Sequence, residues 1–147
     1  MADVVVIDAS IAVKWLVYEP DSDKARKLGR QWRSESVRVA APHVLLSELS
    51  NALHQRVRAD RLTTARAARL LRRFVMDGLE LHHSTQIYQR SIELASQLGQ
   101  GAIYDSLYLS LAESLDCELW TADTRFYRAA NQHSDNTRWL GEISSST

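Results

Sequence analysis

The chain has 147 residues, 45% hydrophobic and 24% charged, with two prolines and five glycines; that balance excludes fibrous and disordered classes and suits one domain with a sizeable core. Eighteen basic and eighteen acidic residues cancel to a net charge of zero, which excludes a general electrostatic pull towards nucleic acid. No apolar run approaches the ~20 residues of a membrane helix, "MADVVVID" has no basic leader region, and a single cysteine, Cys117, admits no internal disulfide, so the expectation is one cytoplasmic domain over residues 1–147.

Val4 to Ile7 is aliphatic at every position, the pattern of a strand buried on both faces. Asp8 follows it, with Ser10 two places on. Ser10 to Val17 is predicted helical. Asp21 to Trp32 is a second helix, with Ala25, Leu28 and Trp32 on one face and Asp21 or Ser22 as its cap. Val37 to Ala40 is a short strand. Pro42 suits the first turn of a helix whose Val44, Leu45, Leu49, Ala52 and Leu53 recur at helical spacing. Thr63 or Thr64 caps a further helix to Met76, where Leu70, Leu71, Phe74 and Val75 oppose Arg66, Arg69 and Arg73. Gly78 ends it. Leu79 to Leu81 is a strand, Thr85 to Leu98 a helix stopped by "GQG", and Ile103 to Leu115 another helix. Glu118 to Thr121 is a strand and Thr124 to Ala130 a short helix. The polar loop "NQHSDNT" suggests no element, and the tail 141–147, "GEISSST", is expected to fray.

Strands alternating with helices imply right-handed crossovers and a parallel sheet of about four to five strands with helices on both sides. Ligands of such sheets bind beyond the carboxyl ends of the strands, which sorts the acids. Asp8 and Asp123 follow strands and belong to that rim, whereas Asp3 and Asp116 precede the same strands and belong to the other. Glu48 and Asp105 interrupt apolar helix faces: Glu48 neighbours Val44, Leu45 and Ala52, and Asp105 neighbours Ala102, Tyr108 and Leu109. A single such acid is explained by an arginine partner or backbone hydrogen bonds. Four acids together must protonate, recruit arginines or bind a cation, because two carboxylates about 4 Å apart repel by roughly 4 kcal/mol at an effective dielectric of 20.

Magnesium and manganese accept hard oxygen ligands and partial carboxylate cages. If Asp8, Glu48, Asp105 and Asp123 converge, they form such a cage, and a divalent ion there suits hydrolysis of a phosphodiester. Ser10 and Thr121 then either orient a water or phosphate oxygen, or serve as a helix cap and an ordinary strand residue. Asn51, one turn after Glu48, is either an outer support of the site or a polar helix position. Arg66, Arg69 and Arg73 either guide an RNA backbone or form a solvated face.

The segments "VVVIDASIAVKWL", "PHVLLSELSNAL", "YDSLYLSLAE" and "LWTADTRFY", in that order, resemble the PIN domain family, in particular the VapC-type toxins of toxin–antitoxin pairs. The resemblance covers nearly the whole chain. It implies a PIN-like three-layer α/β/α fold and a metal-dependent ribonuclease using magnesium or manganese, with Asp8, Glu48, Asp105 and Asp123 as the acids. Thr121 matches the family's hydroxyl before the last acid, and Ser10 its small polar residue after the first. The resemblance also implies an RNA substrate, a homodimer, and an antitoxin whose tail lies over the cleft with an arginine in the acid pocket. The glycines of "GQGAIY" depart from the family pattern. Two other readings compete. A receiver-type phospho-acceptor domain needs an acid pair after the first strand, where Asp8 stands alone. A non-catalytic PIN-like module binding RNA or protein needs none of the four acids, and all four are present.

Overall fold

A computed structural model describes residues 3–144. Five strands form one sheet: β1 (Val4–Ile7), β2 (Arg38–Pro42), β3 (Glu80–His82), β4 (Glu118–Thr121) and β5 (Thr137–Trp139). Their order is β3-β2-β1-β4-β5 and every neighbouring pair is parallel. Central β1 is buried at all four positions, as its unbroken aliphatic run requires. The helices are α1 (Ala9–Leu16), α2 (Ser22–Ser34), α3 (Val44–Arg58), α4 (Thr64–Met76), α5 (Thr85–Gln97), α6 (Tyr104–Leu115) and α7 (Thr124–His133). They flank the sheet in the three-layer α/β/α arrangement. α6 lies along β1, β2 and β4 and carries α5 on its back, while α1 touches β1 and β4 and packs with α2, α3 and α4.

One aromatic chain knits the second group to the sheet. Trp120 of β4 meets Trp32 of α2 at 5.9 Å, Trp32 meets Trp15 of α1 at 6.1 Å, and Trp15 meets Phe74 of α4 at 6.2 Å, all tilted or edge-on. Such pairs add about 0.5–1.5 kcal/mol each beyond their buried area. Trp15 also donates its indole N–H to the Ala25 carbonyl at 2.7 Å, so α1 and α2 are locked in register.

The structure corrects several local expectations. Pro42 does not open a helix; it is the last residue of β2, paired in register with His82. A proline at a strand's end forfeits little, and the ladder passes to His43, whose N–H donates to the His82 carbonyl. Asp21 occupies the cap position of α2 but has a left-handed backbone (φ 67°) and makes no side-chain cap bond. Ser22 instead pins the preceding loop, donating to the Val17 carbonyl and accepting the Glu19 N–H. Within the polar loop "NQHSDNT", residues 131–133 extend α7, residues 134–136 form the turn, and Thr137 opens β5. At the start of the tail, Leu140–Glu142 forms a 3-10 turn with Leu140 buried, and Ile143 packs against the core. The remainder of the expected frayed tail, 145–147, lies outside the described residues.

Candidate active site: an acidic rim at the carboxyl edge

Helices that connect parallel strands run antiparallel to them, so their amino termini face the carboxyl rim of the sheet. That geometry gathers the four acids. Asp8 caps α1, its Oδ1 accepting the N–H groups of Ser10 at 3.0 Å and Ile11 at 3.4 Å. Asp123 caps α7, accepting the Phe126 N–H at 3.1 Å. Asp105 stands in the first turn of α6, and Glu48 in the second turn of α3. An acid at a helix amino terminus is stabilised by the local dipole and orphan N–H groups, so the same positions satisfy folding and collect negative charge.

Asp8 is the buried member, 6% exposed. Two hydroxyls hold it: Ser10 Oγ donates to Oδ1 and Thr121 Oγ1 to Oδ2, each at 2.5 Å. Both hydroxyls in turn accept backbone N–H groups from the end of β4, Ser10 from Ala122 at 2.8 Å and Thr121 from Asp123 at 3.0 Å. Ser10 and Thr121 therefore clamp Asp8 between α1 and β4; the helix cap is Asp8 itself. Asn51 is exposed on α3, with its nearest polar partner Gln55 Nε2 at 3.5 Å. Sequence reasoning missed Tyr108. Its O–H donates to Glu48 Oε1 at 2.6 Å. The signal was its place one turn after Asp105 on the same face.

Electrostatics tie the four together. Burial lifts the Asp8 carboxyl to about 6, against the pull of Ser10, Thr121 and Ile11, and Asp105 adds to the rise. Desolvation raises Glu48 as well, opposed by the Tyr108 hydrogen bond and helped by Asp105. Partial desolvation and then Asp123 raise Asp105. All of these are the effects of burial and like charge. Among the described residues none of the four acids forms an ion pair with an arginine or lysine.

Among the described residues no three His, Cys, Asp or Glu side chains close into a ready-made metal cage. Magnesium does not need a closed cage: it keeps several waters and uses one or two carboxylates directly. The donor set, hard oxygens without a competing cation, fits a hydrated divalent ion. The arrangement can supply negative charge to such an ion at a rim open to a polymer.

Two other features lie elsewhere. A groove of about 710 Å³ opens at the amino rim, between the end of α1, α2, the starts of β2 and β3, and α4. Its floor includes Trp15, Trp32 and Phe74, and its edge Arg26, Arg30, Arg33 and Arg73. Arg66 and Arg69 are exposed on α4, and Arg73 belongs to this groove. Cys117 is buried, which pushes its thiol to about 11, so it is no nucleophile. In the "GQGAIY" segment, Gln100 accepts the Ser106 hydroxyl on its side chain and donates its backbone N–H to the Ala95 carbonyl.

Residues 5–132 match the PIN domain family. The chain is 31% identical over 121 residues to ribonuclease VapC9 of Mycobacterium tuberculosis, covering 82% of this chain and 87% of that one. PAE2754 of Pyrobaculum aerophilum shares the fold at a TM-score of 0.70 and 22% identity, over 97% of this chain and 93% of that one. A toxin–antitoxin complex from Klebsiella pneumoniae matches at a TM-score of 0.66 and 16% identity, over 95% and 99% respectively.

Proposed function

The chain belongs to the PIN domain family, and from that premise we propose that it is a VapC-type toxin, a metal-dependent endoribonuclease of a toxin–antitoxin pair. The observation that carries the reading is the acidic rim: four carboxylates on four separate helices, three of them raised by burial and by neighbouring acids, none neutralised by a basic side chain among the described residues. Such a cluster is costly unless a cation completes it.

Asp8, Glu48, Asp105 and Asp123 would hold a Mg²⁺ or Mn²⁺ ion, in part through waters. When bound, that ion supplies an acidified water and positive charge against the phosphodiester, which removes the need for a histidine base. Asp8 is held for this by its two hydroxyl donors. Asp105 and Asp123 are both exposed and so accessible to an RNA strand. The test is incubation of the purified chain with structured RNAs in Mn²⁺ and then in EDTA. Cleavage is expected only with the metal, and cleavage that survives chelation overturns the metal mechanism.

The reading includes a homodimer and a cytoplasmic location; the unpaired buried thiol of Cys117 and the exposed apolar side chains Met76 and Ile92 support it. No described helix is long and apolar enough to cross a membrane. It also includes an antitoxin. An aromatic floor edged by Arg26, Arg30, Arg33 and Arg73 is complementary to an apolar segment flanked by acids. We therefore assign the amino-rim groove to the antitoxin. Replacing Arg30 and Arg33 together by Glu is expected to weaken the complex with the antitoxin encoded beside the toxin by at least about tenfold, with RNA cleavage unchanged. Binding by the double variant at wild-type strength, measured by titration calorimetry, removes the groove assignment.

A further inference from the structure

Tyr108 places a neutral hydroxyl within reach of the charges of Glu48, Asp8 and Asp105. Tyr108 is 1% exposed on α6, one turn beyond Asp105, and its O–H donates to Glu48 Oε1 at 2.6 Å. The bond spans 60 positions of sequence and joins α6 to α3. A phenol is protonated at neutral pH, so the Tyr108 hydroxyl is the donor of this bond and the Glu48 carboxylate its acceptor.

Glu48 needs such a partner. It is half-buried on a side chain with three torsions, and among the described residues no cation stands beside it. Left alone, its carboxylate would sample several rotamers and swing away from its acidic neighbours. The Tyr108 bond restricts that freedom and occupies Oε1, which leaves Oε2 as the oxygen without a protein donor among the described residues. The donor also rides on the helix that carries Asp105, so any shift of α6 moves one acid and the anchor of another together.

We propose that Tyr108 is a positioning residue that aims the Glu48 carboxylate, presenting Oε2 to the divalent cation and coupling the placement of Glu48 to that of Asp105. The inference rests on the metal-dependent reading of the acidic rim. It adds a residue to the site that is not itself a ligand. Hydrogen-bond partners of metal-ligating side chains commonly govern affinity by about 10–100-fold.

The test measures Mn²⁺ binding to the metal-free full chain without RNA, by electron paramagnetic resonance of the free ion. Four proteins are compared: wild type, Tyr108→Phe, Glu48→Gln and the double variant. Phe keeps the ring and its packing, and urea midpoints in EDTA verify that all four fold. Tyr108→Phe is expected to weaken Mn²⁺ binding about tenfold. In the Glu48→Gln background the same change is expected to alter binding by less than about twofold, because the group it aims is gone. Equal Mn²⁺ affinity for wild type and Tyr108→Phe overturns the positioning role alone. So does an equal loss in both backgrounds, which would mark Tyr108 as packing only. Wild type that binds no Mn²⁺ and cleaves RNA in EDTA overturns the metal reading, and the inference with it.

Discussion

Asp8→Asn is expected to abolish RNA cleavage while making the metal-free protein more stable. The two effects have one cause. Asp8 is almost fully buried, and burial raises its carboxyl from 3.8 to about 6. The folded state therefore holds a proton that the unfolded chain releases at lower pH. Stability contributed by protonated Asp8 is fully present below about pH 4 and is lost as pH rises through about 6. The separation between 3.8 and about 6 corresponds to roughly 3 kcal/mol at neutral pH. Asn has the same shape, keeps an oxygen for the Ser10 and Ile11 N–H groups, and carries no charge. It should raise stability at pH 7.5 by roughly 1–3 kcal/mol, or about 2–4 °C in Tm per kcal/mol for a chain of this size. Added Mn²⁺ should raise the Tm of wild type and leave that of Asp8→Asn unmoved. Loss of outer supports of metal ligands already costs 10–100-fold, so loss of the ligand should cost at least about 100-fold in cleavage. Thermal melts across pH 4–8, with parallel cleavage assays, decide it. A variant less stable than wild type at pH 7.5 would mean that Asp8 is tuned by hydrogen bonds and not by burial.

Thr121→Val should act in the opposite direction on stability and shift the pH profile. Thr121 is fully buried, and its hydroxyl both donates to Asp8 Oδ2 and accepts the Asp123 N–H. Val keeps the β-branch and deletes the hydroxyl, leaving two polar groups unmatched at about 1–3 kcal/mol each. The expected loss is roughly 2–4 kcal/mol at pH 7.5 and less below pH 5, where a protonated Asp8 depends less on a donor. The Thr121 bond also lowers the Asp8 carboxyl. Without it, Asp8 rises further, and the acidic limb of cleavage at limiting Mn²⁺ should move up by about one pH unit. An unmoved acidic limb would show that the hydroxyl serves packing and not the ionisation of Asp8.

What was legible in the sequence follows from what each signal encodes. The aliphatic run before Asp8 encodes a buried strand by itself, and "ELWT" gives β4 with the observed bounds. The strand-end rule then places Asp8 and Asp123 on one rim without coordinates, because parallel topology fixes which end of each strand faces the ligand. β5 escaped the sequence reading because "TRW" has no apolar run. It becomes a strand only through its ladder with β4, which lies some eighteen residues earlier. Pro42 reads equally well as a helix start and a strand end, and its pairing opposite His82 decides between them. Tyr108 was hidden for a different reason. On an apolar helix face a tyrosine reads as core, and only Glu48, far away in sequence, reveals that its hydroxyl has work.

The groove and the acids open on opposite edges of the sheet, which turns the sheet into a ruler. β1 is four residues long, roughly 13 Å at ~3.3 Å per residue. An inhibitory tail gripping the groove with one part and the carboxylates with another must therefore carry an extended tether of at least about four residues between them. Shortening that tether below the span forces a choice between the two grips and forfeits the gain in effective concentration that holding both provides. Toxin and antitoxin would thus recognise each other by a distance as well as by chemistry.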